Sequence, residues 1–268
     1  MAKVRLDVLL LDRGLFESRA RAAAAVLAGE VLLLPARERA LKPGHLVSDD
    51  VEVEVATRLE YVSRGGVKLA NALDQLGVAV AGASALDLGA STGGFTDCLL
   101  QRGAAHVVAV DVAYGELSWK LREDPRVTVI ERRNARTLQR ADLPYAPDLI
   151  VMDLSFISLS KVLPAVLACA ASRYDCLGMI KPQFEVGRER VGKGGVVRDA
   201  VARHEALVSV GRCALSLGAS VMGYASSGLP GPKGNLETFI WIADADRAGS
   251  VADVEAAASL VEPLAVEP

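Results

Sequence analysis

Aromatic side chains are scarce in this chain, at 4% of 268 residues, which leaves little from which to build a base-stacking platform for nucleic acid. Cysteine is equally thin. Cys98, Cys169, Cys176 and Cys213 stand in apolar surroundings without C-x-x-C spacing, so they read as reduced core thiols and not as a disulfide set or zinc site. Three scattered histidines add no ligand pattern, and no metal is expected. The opening MAKVRLD lacks the apolar core of a signal peptide. The longest uncharged run, residues 213–232, is broken by Gly, Ser and Pro and does not read as a membrane span. A cytoplasmic, monomeric protein without a membrane partner is expected.

Nor is there a large excess of either charge. The formal net charge of −3 is a weak argument against a nucleic-acid partner, but the distribution is uneven. Residues 243–268 hold six acids and one base, whereas residues 120–140 hold seven bases against three acids and residues 181–198 five against two. Such patches can grip phosphates, and each also fits a plain solvated helix face. A hydrophobic fraction of 51% is ample for a core, and the length allows one medium domain with a small partner.

What the chain does contain is a strand–loop–helix signature, ALDLGASTGGFTDCLL, at residues 85–100. Ala85, Leu86 and Leu88 end an apolar run. Gly89, Gly93 and Gly94 let the backbone approach a ligand, and a helical pattern resumes at Phe95. The next apolar run, HVVAVD, closes about 20 residues on with Asp111, where a carboxylate can accept both hydroxyls of a ribose. The order is D-x-G-x-x-x-G-G and not G-x-G-x-x-G. Asp87 would be unwelcome beside a pyrophosphate but suits a cationic ligand such as the amino-acid part of S-adenosylmethionine. A nicotinamide site and a mere βα turn remain the competing readings.

Residues 1–55 have a different grammar. Leu6, Leu9 and Leu10 form one helical stripe ended by Gly14; Ser18 can cap a second helix reaching about Leu27, with Ala22, Ala23 and Val26 inward and Gly29 as its stop. Residues 31–34 and 51–55 read as strands, the latter with the alternation of an edge. Arg5, Arg13, Arg19 and Arg21 fall on or between the helices. With RLD, GLFESRARA, GEV, LKPG and the D-x-V-E-V ending, the segment resembles an S4 RNA-binding domain, which implies RNA contact through those arginines. Where that family has a V-x-V-N-G hairpin this chain reads VLLLPARER, so the hairpin geometry stays open, and a small helical cap is the alternative reading. Residues 56–64 read as a linker.

From residue 65 to 243 strands and helices alternate, with helices expected over residues 95–101, 159–171 and from about Asp199 to Leu217. Near-continuous apolar strands imply an α/β fold with a mostly parallel sheet, and the last strand follows its predecessor without a helix and is expected antiparallel. Seven such strands match a class I, Rossmann-like methyltransferase sheet. Residues 244–268 read as an acidic tail.

Two of these strands end in charge: LIVMD at Asp153 and CLGMIK at Lys181. Ionisable groups closing buried strands are costly unless they serve a site. Glu237 opens the last strand and Lys68 precedes the sheet; singly, each fits a bland role, an edge-guarding acid and a surface lysine. The order Lys68, Asp153, Lys181, Glu237 resembles the K-D-K-E set of ribose 2′-O-methyltransferases. With SRGGVKL, AYGELSW, RRNAR, DLSFISL, KPQFEVG, GGVVRD and GPKGNLE, nearly the whole chain resembles the TlyA family, FtsJ-like enzymes that methylate cytidine riboses in 16S and 23S rRNA and are sometimes labelled hemolysins.

The resemblance implies S-adenosylmethionine as cofactor and rRNA of the 30S or 50S subunit as partner. It implies a donor site from Asp87, Gly89, Ala90, Ser91, Gly93, Gly94, Phe95, Asp111, Asn134 and Asp153, and RNA contacts from Arg64, Arg133, Lys193 and Arg198 besides the N-terminal arginines. A basic loop over the RNA and a plain turn both fit residues 193–198. Lys181, desolvated beside a second ammonium, is expected to share the hydroxyl proton and stabilise the alkoxide. No metal is required. The N-P-P-Y or D-P-P-Y of amino-group methylation and the Pro-Cys of cytosine-C5 methylation are both absent. The competing functions are a non-catalytic RNA-binding protein with a vestigial sheet and a membrane-lytic protein.

Overall fold

Leu6, Leu9 and Leu10, spaced for one helix face, are buried on the first helix of the computed structural model, which describes residues 3–27, 31–36, 38–40, 42–55 and 60–262. The chain divides into two units, Met1–Leu59 and Glu60–Pro268. In the first, β1 (Lys3–Arg5) leads into α1 (Leu6–Asp12), and α2 (Arg19–Leu27) packs on α1. Gly14 takes a left-handed φ of 68°, and Ser18 Oγ accepts the Arg21 amide at the start of α2. There follow β2 (Val31–Leu33), β3 (Glu38–Arg39), β4 (Leu46–Ser48) and β5 (Val53–Val55). β4 pairs with β1, and β3-β2-β5 form an antiparallel sheet with β5 at an edge. β2 and β3 pair as a hairpin despite the missing Asn-Gly, Leu32 opposite Arg39. Gly29, Leu41, residues 56–59 and residues 263–268, on which a helix stop, a motif position, most of the linker and the end of the tail were expected, lie outside the described residues.

The second unit holds α3 (Arg64–Leu76), β6 (Ser84–Leu88), α4 (Gly94–Gln101), β7 (His106–Val110), α5 (Trp119–Arg122), β8 (Val127–Ile130), β9 (Leu149–Met152), α6 (Leu163–Leu167), β10 (Asp175–Ile180), α7 (Pro182–Glu185), α8 (Ala200–Ser216), β11 (Ser220–Ser226), β12 (Thr238–Ala243) and α9 (Val254–Ser259). Seven strands form one sheet in the order β11-β12-β10-β9-β6-β7-β8, with β12 antiparallel to both of its neighbours. Successive residues serve opposite faces: Leu86, Val108 and Ile150 join one core cluster, Ala85, Val107 and Val151 the other. Helices therefore cover both faces, as parallel strands require. The chain runs outward from β6 to β8 and then returns to place β9 on the far side of β6. That reversal opens a crevice at the carboxyl ends of β6 and β9.

Three boundaries differ from expectation. From Glu60 the linker is part of the second unit: Tyr61 is buried in its core and the Val62 amide donates to Asp97 Oδ2 at 2.9 Å. The helix expected over residues 159–171 is a 3-10 turn at Leu159–Lys161 followed by the short α6, because Pro164, lacking an N–H, starts a helix more readily than it continues one. The acidic segment is no free tail up to Glu262. α9 packs on α8 and β11 with Ala258 fully buried, and Arg203 of α8 makes two hydrogen bonds to the Glu262 carboxylate at 2.7 and 2.8 Å.

Candidate active site

The glycine loop after β6 owes its path to residues without side chains. Gly89 has a φ of 81°, and a Cβ there would lie 2.4 Å from the Asp153 carbonyl oxygen, so only glycine lets the loops after β6 and β9 come together. Ser91 is also held in the left-handed region, at a φ of 46°; its amide donates to Asp111 Oδ2 at 2.8 Å, and the Ala113 amide donates to Asp111 Oδ1 at 2.8 Å. Backbone strain of this kind at a strand end persists where the surroundings impose it, and it clusters at ligand sites.

These loops wall a cleft of about 490 Å³. Gly89, Ser91, Asp111, Asn134 and Asp153, five of the residues expected at a donor site, line it. Arg133 lines it too, although its guanidinium is ion-paired with Asp142 and donates to Thr137 O at 3.0 Å. Asn134 Oδ1 accepts the Arg136 amide at 3.0 Å. The other five shape the cleft from behind. Gly93 and Gly94 leave room for Leu121 and Ser63; Ala90 and Phe95 are buried, Phe95 against Phe239 with ring centroids 5.8 Å apart. Asp87 is completely buried. It accepts Thr96 Oγ1 at 2.6 Å, its Oδ1 has no partner, and burial pushes its carboxyl up to about 7.

Beyond Asp153 lies a second cleft, of about 330 Å³, walled in part by Lys181, Gln183, Asn235 and Glu237. Ser155 and Phe156 line both clefts. Lys181 and Glu237 line this cleft, Asp153 lines the first, and Lys68 reaches Glu237 from α3. Lys181 Nζ stands 2.5 Å from Asp153 Oδ1, which has no other donor, and it donates to Ser155 Oγ at 3.2 Å. Lys68, from α3, is ion-paired with Glu237, their side chains 8% and 2% exposed. Ile180 pairs with Thr238 across β10 and β12, and that register carried one residue further sets Lys181 beside Glu237. The bland roles fall away: Lys68 is buried, and β12 is an interior strand with no edge to guard. Charges so desolvated persist only when paired.

Sequence reasoning missed several neighbours. Phe156 is 91% exposed with a φ of 65°, its ring centroid 5.4 Å from that of Phe184. The loop bearing it is anchored by Glu185, which accepts the Leu159 amide at 2.8 Å; burial raises the Glu185 carboxyl above the ordinary carboxylate range. Asn235 is buried and stitches residues 195–197 to the wall, accepting the Val197 amide at 2.9 Å and donating to Gly195 O at 2.8 Å. The signal for these was Ser and Phe two and three residues after Asp153, and Asn two residues before Glu237.

The expected RNA-contact residues divide. Arg5 and Arg19 both grip the buried Asp7 carboxylate, and the hydrogen-bonded Arg5 guanidinium holds that carboxyl down to about 2. Arg13 donates to the Asp49 and Val51 carbonyls at 2.7 Å each, and Arg64 to Pro230 O at 3.0 Å. Arg21, Lys193 and Arg198 are exposed. Lys193 and Arg198 flank a turn closed by the Gly192–Val196 bridge and pinned by Asn235.

A seven-stranded sheet in this order, with a glycine loop at the end of β6 and a carboxylate at the end of β7, is the class I methyltransferase fold. Residues 61–243 match the model of the FtsJ-like methyltransferases, and the chain belongs to that family. It is 50% identical over 258 residues, 94% of this chain and 95% of the other, to a Mycobacterium tuberculosis protein named 16S/23S rRNA (cytidine-2′-O)-methyltransferase TlyA. It is 44% identical over 240 residues to the Bacillus subtilis "Putative rRNA methyltransferase YqxC", covering 89% and 85% of the two chains. The solved structure "Putative hemolysin from Streptococcus thermophilus" superposes with a TM-score of 0.72 at 38% identity, over 97% of this chain and 96% of that one.

Proposed function

We propose that this methyltransferase transfers a methyl group from S-adenosylmethionine to the ribose 2′-hydroxyl of a cytidine in ribosomal RNA. The observation that carries this reading is a pair of lysine–carboxylate ion pairs, the partly buried Lys181–Asp153 with a member in each cleft and the buried Lys68–Glu237 whose carboxylate lines the second. A hydroxyl must lose its proton as it is methylated, and a lysine placed at the acceptor can take up that proton and stabilise the oxyanion.

The larger cleft fits the donor. Asp111 keeps lone pairs free for ribose hydroxyls beyond the two backbone amides it already accepts, and the completely buried Asp87, with one oxygen unpartnered, sets a polar floor behind the loop. Gly89, Ser91 and Asn134 would border it. When bound, the donor supplies an electrophilic methyl on a sulfonium, so no metal is needed for activation. The remaining chemistry belongs to the chain. Lys181 Nζ hydrogen-bonds the 2′-hydroxyl and takes up its proton, and the ammonium so formed, held by Asp153, stabilises the developing alkoxide as the oxygen attacks the methyl and the sulfonium–methyl bond breaks. Lys68, held by Glu237, keeps the other side of the oxygen positive. The first unit brings the RNA, with Arg19 and Arg21 exposed on α2 and Arg5 and Arg13 alongside. A ribosomal substrate places the protein in the cytoplasm.

The test is transfer of labelled methyl groups to 30S and 50S subunits, with mass mapping of the methylated ribose. Lys181→Ala should retain donor binding by calorimetry and lose turnover by about a hundred-fold or more. A fully active Lys181→Ala protein overturns the mechanism, and methyl transfer to a base in place of a ribose overturns the acceptor assignment. The hemolysin name of the Streptococcus structure suggests lysis as a rival; among the described residues no helix is long and apolar enough to cross a membrane.

A further inference from the structure

Among the described residues only three large aromatic side chains stand well exposed: Tyr114 at 69%, Trp119 at 76% and Phe156 at 91%. Phe156 lines both clefts, and Tyr114 carries the Arg132 guanidinium 4.5 Å from its ring centroid. Trp119 does neither. It sits in the run Leu117-Ser-Trp-Lys-Leu121, whose two leucines are buried at 6% and 2% exposure and fill the space left by Gly93. The Ser118 amide donates to Thr92 O of the glycine loop at 3.2 Å. Its neighbours are thus anchored beneath the donor cleft while the indole between them is turned out. Lys120 next to it is mostly exposed, its ammonium 4.0 Å from Asp97, and the surrounding residues 120–140 carry seven bases against three acids. An apolar ring of this size is ordinarily among the first groups a fold covers. Glu116, Lys120 and Glu123 are exposed close to it in the chain.

We propose that Trp119 and Lys120 form an RNA contact outside both clefts: the indole stacks on an unpaired base and the ammonium meets an adjoining phosphate. The inference rests on the rRNA reading above. Every base has a π-face, so a lone exposed ring with a cation beside it binds unpaired nucleotides without reading their sequence.

The chain makes the test direct, because Trp119 and Trp241 are its only tryptophans. Trp241 lies in β12, half-buried, its Nε1 donating to Asp175 at 2.9 Å. Titrating the full-length protein with a single-stranded RNA oligonucleotide should quench the indole emission. The quench should survive Trp241→Phe and disappear with Trp119→Leu. Trp119→Leu should weaken RNA binding about five-fold or more, leave the calorimetric affinity for S-adenosylmethionine unchanged, and leave the unfolding midpoint unchanged. Lys120→Ala should lower the slope of log affinity against log salt by about one. If wild-type protein methylates ribosomal subunits but Trp119→Leu binds and methylates RNA equally well, this proposal fails and the proposed function stands. A quench that follows protein concentration without RNA assigns the ring to self-association and overturns it. A wild type that neither binds RNA nor methylates subunits takes both readings down.

Discussion

Gly231 shows how far the proposed chemistry depends on an atom that is absent. A Cβ at that position would lie 2.6 Å from Glu237 Oε1, and Glu237 cannot retreat, because it is buried and held by Lys68. Gly231→Ala should therefore tilt the Lys68–Glu237 pair and reduce methyl transfer about 10- to 100-fold with donor affinity intact, read by single-turnover assay and calorimetry. Asp87 makes a different kind of demand. Its carboxyl ordinarily titrates at 3.8, and complete burial raises it to about 7 in the fold. The folded chain then keeps a proton that the unfolded chain releases. The stability Asp87 contributes is complete below about pH 4, declines as pH rises, and is gone above about 7, a swing on the order of 4 kcal/mol at most. Asp87→Asn should flatten that part of the profile. Urea midpoints of the two proteins at pH 5 and pH 8 decide it: parallel profiles would mean that Asp87 is ionised in the fold.

α3 ties site and core together. Lys68 points to Glu237 while Leu69 and Leu73, on the adjoining face, are exposed by no more than 1%. Leu73→Ala should cost about 2–5 kcal/mol, as cavity-forming leucine truncations do, and a chemical denaturation curve measures it directly. α9 depends on the Arg203–Glu262 pair, whose side chains are 13% and 11% exposed. Arg203→Ala should lower stability by about 2 kcal/mol, since it leaves a nearly buried carboxylate without its two charged hydrogen bonds. Activity at a temperature well below the unfolding transition should hardly change, because these residues lie in neither cleft.

Taken as one object, the molecule carries a net charge of −3 yet is assigned an anionic substrate. What matters is where the cations stand and whether they are engaged. Arg5, Arg13, Arg19 and Arg21 are all exposed, and the first three are also bonded within the first unit. Arg21→Ala should weaken RNA binding evenly across sequences and reduce the salt slope by about one, with no change in donor affinity or fold. An unchanged slope would remove Arg21 from the RNA interface.

The period of the strands, the glycines of the loop and the order of charged strand ends lie within local stretches of chain, and local chemistry is legible in one dimension. Hence the α/β alternation, the antiparallel last strand and the charged strand ends Asp153 and Lys181 could be read from residues alone, whereas Lys68 and Glu237 stood out only through the family resemblance. Pairing is another matter. That Lys68 takes Glu237, 169 residues away, while Lys181 takes Asp153 follows from the strand order β12-β10-β9-β6 and from the burial of α3, neither of which leaves a trace in spacing. The same holds for Arg5 and Arg133, which are ion-paired with Asp7 and Asp142, and for the acidic segment that became a docked helix. Composition records which charges a chain owns; desolvation, which exists only once the core has closed, selects the ones that must pair.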